Sequence, residues 1–185
     1  MRRVIYFVAL IWCAVADIPT EDQRTQVVEF FTNLRESVDP PASNMMLMRY
    51  SLELETKAQN FLDICSSTGL DRNILPKDAI QFGGYVDQRG LAYVDMLNYY
   101  ASERQYYNYD QNRCTRSCSV YKEMVLATST AVGCAKGKCN PRGVSSNRNL
   151  TICLLKKTEW NPEERPYRRG DSCSECPDGF DCQRK

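Results

Sequence analysis

The feature that most constrains this chain is the stretch 114–153, which holds five of the ten cysteines. It reads CTRSCSVYKEMVLATSTAVGCAKGKC, then a polar loop, then NRNLTIC. Over 119–130, Tyr121, Met124, Val125 and Thr128 recur at spacings of three and four, which predicts a helix. Two segments rich in Val, Thr, Ile and Leu flank Pro141 and Gly143, the pattern of antiparallel strands about a turn. Cysteines at this density predict cross-links within the strand pair and to an element upstream. A helix, a strand pair and several disulfides form the scaffold on which the rest must hang.

The compartment is written at the N-terminus. Arg2 and Arg3 precede an apolar run over 4–15, and Ala14-Val15-Ala16 is a small-x-small site before Asp17. Residues 1–16 therefore read as a secretory leader, and the run is too short to span a membrane. The expected protein is secreted and extracellular, with a domain over 17–160 and a cysteine-rich tail over 161–185. Loss of Arg2 and Arg3 takes the formal charge from +1 to −1. That is no footprint for nucleic acid or an anionic membrane. Loss of Cys13 leaves an odd number of cysteines, which an oxidising compartment must accommodate.

The chain contains no histidine. This removes Ser-His and Cys-His nucleophile pairs and every histidine-ligated metal site, so a non-enzyme is expected. Carboxylate chemistry by Glu103 and Glu123 remains conceivable only where the fold brings the two together.

Along the chain, 21–38 places Val27, Phe30, Phe31, Leu34 and Val38 on one helical face, and Pro40-Pro41 ends it. Ser51 caps a second helix with Leu54, Ala58, Phe61, Leu62 and Cys65 as its buried stripe. Over 66–89 the periodicity fails, and Gly69, Pro76, Gly83, Gly84 and Gly90 read as a long irregular connection. A third helix is predicted over 91–104. A tyrosine cluster surrounds its end: Tyr99, Tyr100, Tyr106, Tyr107 and Tyr109. Such a stripe is either core or a ligand-facing wall. After Trp160 the composition turns to Pro, Gly, Cys and charge, too poor in apolar residues for a core of its own.

Three motifs in register carry a resemblance. PPASNMMLM with KAQNFLDIC, then CSVYKEMVLATSTAVGCAKGKC, then RPYRRGDSCSECPDGFDC resemble successive signatures of the CAP superfamily. That family takes in cysteine-rich secretory, antigen 5, pathogenesis-related and helminth venom-allergen-like proteins. The resemblance implies an α+β fold, a three-layer α-β-α sandwich with a central antiparallel sheet. It implies the pairs Cys65–Cys139, Cys114–Cys118, Cys134–Cys153 and Cys173–Cys182. The family's hinge has a fourth cysteine that this chain lacks, so Cys176 is left over, a candidate for a disulfide-linked homodimer. The loops are short enough that Cys176 could instead take Cys173 or Cys182.

The departures from the family bear on function. The resemblance implies a cleft of two histidines and two glutamates able to hold a metal such as zinc. Here Val120 stands at one histidine position, Gly83-Gly84 at one glutamate position, and Glu123 in place of a glutamine. Only Glu103 matches, so no metal or other cofactor is expected. The functions left open are carriage of a sterol or fatty acid against the tyrosine cluster, as in some relatives, and docking to an extracellular receptor. The tail contains Arg169-Gly170-Asp171, an integrin-type tripeptide when a loop displays it. Asn149-Leu150-Thr151 is a glycosylation sequon if its strand faces solvent.

Overall fold

A computed structural model describes residues 18–68, 79–86, 92–139, 148–156 and 158–182. The leader, Leu91 and the Pro141/Gly143 turn lie outside these residues. The first helix, α1 (Glu21–Glu36), opens on a reciprocal capping box between Thr20 and Gln23 and buries Val27, Phe31 and Arg35. It is followed by β1 (Arg49–Tyr50) and α2 (Leu52–Thr68), where Ser51 Oγ accepts from Leu54 N. Next come β2 (Ala79–Val86), α3 (Tyr93–Ala101), a 3-10 segment (Ser102–Tyr106) and the short pair β3 (Tyr107–Asn108) and β4 (Arg113–Cys114). The chain continues through α4 (Ser119–Met124), β5 (Ala131–Cys139) and β6 (Arg148–Lys156).

The expected sandwich is present. The main sheet runs β1-β5-β6-β2, antiparallel except for the two-residue parallel contact of β1 with β5. Its central strand, β6, is buried from Leu150 through Leu155, and successive side chains serve opposite layers. Leu150, Ile152 and Leu154 meet Leu54, Ala58, Phe61 and Leu62 of α2. Cys153 and Leu155 join Val27, Phe31, Met96, Leu97 and Met124 from α1, α3 and α4. Each fully buried Leu or Ile contributes about 1.5–3 kcal/mol, so this strand anchors both layers. Gly133 lets α2 lie directly on β5: a Cβ there would run into Ser51 O, Leu54 C and Glu55 N.

Two expectations from the sequence need correction. The segment read as irregular contains β2, because eight residues of register with β6 override the breaker signal of Gly83 and Gly84. The helix predicted over 119–130 stops at Met124. Arg35, fully buried, explains the stop. Its guanidinium donates to the carbonyls of Met124, Leu126, Ala127 and Ser129, at 2.8–3.3 Å, and to Met46 O at 2.8 Å. A helix continuing past Met124 would need those carbonyls for its own ladder.

The tail is laid against the body. Ser43 N donates to Arg168 O, Gly170 N to Pro41 O, Glu175 N to Ser43 O and Leu47 N to Asp181 O. Tyr167 is buried with Val38, Met45, Tyr121, Val125 and Ala127.

Bridges join Cys65 to Cys139, Cys114 to Cys118 and Cys134 to Cys153. In the tail the expected Cys173–Cys182 bridge is replaced by Cys176–Cys182, and Cys173 stands outside the four bridges. The turn 177–180 is the physical reason. Gly179 has φ +81°, and Phe180 N donates to Pro177 O. This folds Cys182 back to a Cα separation of 5.8 Å from Cys176, well inside disulfide reach. Cys176 is therefore not available for the homodimer that the sequence suggested.

Candidate functional site

Of the positions that the resemblance assigns to a cleft, Val120 and Glu123 lie on α4 and Glu103 lies against it. Val120 is half-buried and packs into the main core, so the histidine position has become part of the hydrophobic layer. Glu103, on the 3-10 segment, accepts from the backbone N–H of Tyr121 at 3.2 Å. Glu123 lies one turn along α4, and its pKa is pushed up to about 7, first by burial and then by the negative charge of Glu103. Across the sheet, Gly83 and Gly84 offer only backbone, and Gly83 O receives the Tyr100 hydroxyl at 2.5 Å.

Chemically this is a carboxylate pair in which Glu123 holds a proton near neutrality. It does not suit zinc, which takes three or four protein ligands. No histidine exists to supply them, and the described residues contain no group of three or more His, Cys, Asp or Glu able to hold a metal.

The tyrosines do not form one wall. Tyr99 is exposed at 71%, edge-on to Tyr100, which in turn packs edge-on against Phe82. Tyr106 lies under the Arg116 guanidinium. Tyr107 and Tyr109 belong to a separate aromatic group with Tyr121, which the sequence placed on a helical face, and Tyr167, which it did not single out. Tyr107 Oη donates to Asn112 Oδ1 and Tyr109 Oη to Tyr167 O. Lys122 is buried over the Tyr107 and Trp160 rings with Nζ on Pro162 O, and burial lowers its pKa. Tyr167, the residue missed, carried a signal in its place in the tail motif, and Tyr121, read as a helix-face residue, lies in the α4 motif.

Two cavities bear on ligand binding. One, of about 480 Å³, lies between body and tail and is lined by Tyr109, Trp160, Tyr167 and Arg165 among others. The second, of about 410 Å³, opens between α1 and β1, lined by Val28, Tyr50 and Leu52 with Arg24 and Glu21. At that second cavity Arg24 makes two bonds to Glu55, at 2.8 and 2.9 Å, while Tyr50 Oη donates to Glu55 Oε2 at 2.7 Å. Its remaining bond goes to Glu21, a surface carboxylate.

The tail tripeptide is tied down. Arg169 pairs with Asp110 and lies over the Tyr109 ring, while Gly170 is wedged against Ser43. Asn149 is half-buried near the start of β6, between strands on both sides, and Thr151 of its sequon is fully buried.

The layers, the staple joining α2 to β5 and the tail packed beside them define a disulfide-braced α-β-α domain. The chain belongs to the cysteine-rich secretory protein family, CAP, whose family model matches residues 28–155. It is 31% identical over 171 residues to Cysteine-rich secretory protein 1 of Macaca mulatta, covering 88% of this chain and 67% of that protein. It is 27% identical over 168 residues to Peptidase inhibitor 16 of Mus musculus, covering 89% of this chain. The chain spans about a third of that relative's length. The solved structure of Schistosoma mansoni venom allergen-like protein 4 shares the fold, with a TM-score of 0.62 and 23% identity. That match covers 85% of this chain and all of the other. Among the described residues no helix is long and apolar enough to cross a membrane.

Proposed function

We propose that this chain is a secreted, non-catalytic CAP-domain protein that carries a fatty acid, with the family's metal chemistry absent. The observation that carries this reading is the α1–β1 cavity. Val28, Tyr50 and Leu52 give it an apolar side, Arg24, Thr25, Glu21 and Glu29 line the rest, and its volume of about 410 Å³ lies in the range of small-ligand sites. A carboxylate can displace the exposed Glu21 from Arg24 while the Glu55 bonds hold the guanidinium in place. That favours a fatty acid over a sterol, which has no anionic head. It also moves the ligand wall from the tyrosine cluster, whose hydroxyls and rings are largely engaged within the protein, to the opposite end of α1.

The test is organic extraction of the secreted protein, followed by titration with radiolabelled palmitate and cholesterol. Saturable palmitate binding that falls at least about tenfold in Leu52→Arg supports the reading. Extraction that recovers no lipid, with no saturable binding of either probe, sinks it.

A second reading, docking to an extracellular protein, is favoured by Phe180. It is exposed at 54% on a turn closed by the Cys176–Cys182 bridge, so a rigid aromatic is presented to solvent. The Arg169-Gly170-Asp171 tripeptide lends this reading little, because Arg169 is held by Asp110.

A further inference from the structure

The cavity of about 480 Å³ between body and tail has walls that hydrogen bonds hold at a fixed distance. Ala127 N donates to Pro166 O at 2.8 Å, Ser43 N to Arg168 O at 2.9 Å, and Arg168 N to Asn44 Oδ1 at 2.9 Å. A site framed in this way is formed before a ligand arrives, so little ordering opposes binding. It shares no lining residue with the α1–β1 cavity.

Its lining combines a ring with charges of both signs. Tyr109 is stacked on Tyr167, centroids 4.9 Å apart, and the guanidiniums of Arg165 and Arg169 lie over it at 5.4 and 5.2 Å. Trp160 is half-buried with the Lys122 ammonium 5.2 Å from its centroid, so of the three rings it keeps the most surface for a ligand. Arg169 is paired with Asp110, and Arg168 with Glu175. Arg165 differs: its Nε donates to Tyr109 O at 3.0 Å and a second nitrogen to Asp110 O at 2.7 Å, both main-chain carbonyls. These bonds fix the guanidinium in place without a carboxylate on it. Glu164, its neighbour in sequence, lines the same cavity and makes no ion pair among the described residues.

We infer that this cavity binds an aromatic α-amino acid as its zwitterion, with the carboxylate on Arg165, the ammonium on Glu164 and the ring against Trp160. Each charge of such a ligand answers one charge of the lining. A ligand with only a carboxylate would meet the carboxylates of Glu159 and Glu164 with nothing to offset them. One with only an amine would meet three guanidiniums and the Lys122 ammonium behind Trp160. Like-charge contacts of this kind reject the singly charged analogues more than they strengthen the zwitterion.

Calorimetric titration of the secreted protein with phenylalanine, 3-phenylpropionate and phenethylamine tests this, with tryptophan fluorescence followed in parallel. Phenylalanine is expected to bind with a Kd on the order of 0.1–1 mM, at least about tenfold tighter than either analogue, and to change the emission of Trp160. Glu164→Gln should bring 3-phenylpropionate level with phenylalanine, and Arg165→Gln should do the same for phenethylamine. The absence of saturable phenylalanine binding overturns the proposal, as does an analogue that binds the wild type equally well. So does a folded Glu164→Gln protein that keeps the full preference for phenylalanine. Should Arg165→Gln fail to fold, the wild-type ranking and the exposed Glu164→Gln variant decide.

Discussion

At the scale of single residues, Glu123 and Arg35 show charge held where water is scarce, with opposite outcomes. The raised pKa of Glu123 means the folded state holds a proton that the unfolded chain, near its ordinary 4.5, gives up. Between about pH 4.5 and 7 the folded state binds more protons, so this group's contribution to stability is lost as pH rises through that window. Glu123→Gln is therefore expected to raise the Tm at pH 8 and to leave it near wild type at pH 5. Thermal melts at the two pH values check this, and equal pH slopes for both proteins would contradict it. Arg35 keeps its charge without an acidic partner because carbonyl oxygens surround it, although burial still lowers its pKa to about 9. Nothing in the local sequence marks Arg35 as buried. It sits at a helical position next to Leu34, and all its carbonyl partners but Met46 lie about ninety residues downstream. The missing histidines and the matching Glu103 were legible, whereas the mutual effect of Glu103 and Glu123 was not, since it depends on the docking of α4 beside the 3-10 segment.

At the scale of elements, intimate packing of helix on strand decides several outcomes that propensity leaves open. Gly133 looks like a weak point inside a strand, yet it is the residue that permits α2 to touch β5. Gly133→Ala should cost about 1–3 kcal/mol, because the obstruction is backbone that cannot rotate away. The urea midpoint measures this, and an unchanged midpoint would mean that α2 can lift from the sheet without loss. The amphipathic stripes of α1 and α2 were readable because each helix buries one continuous face. The ends of α4 and the existence of β2 were not readable. Carbonyls claimed by Arg35 cut the one short, and pairing with a strand some seventy residues away makes the other.

At the scale of the whole molecule, the tail is a structural part of the domain. Main-chain bonds to 41–47 and the burial of Tyr167 hold it against the body, whereas its Cys176–Cys182 bridge lies within the tail itself. Tyr167→Ala is expected to lower stability by about 3–5 kcal/mol, as for other large aromatics removed from a core. Denaturant unfolding of the secreted variant tests this. A tail that behaved as an independent appendage would show a loss within about 0.5 kcal/mol, the range of ordinary surface substitutions.

The sequence by itself determined the family, the sandwich, the two helices that carry its outer layers, the strand pair and the absence of histidine chemistry. These rest on local periodicity, motif order and residue inventory, all present in the one-dimensional chain. Tertiary structure alone decided that Cys182 meets Cys176, that Tyr121 and Tyr167 join Tyr107 and Tyr109, and that Arg24 borders a cavity with Val28, Tyr50 and Leu52 on one side. Each of these is a contact between segments far apart in the chain or a choice among short loops of similar reach. The deciding energies are packing, main-chain pairing and burial, which appear only once the layers have closed on one another.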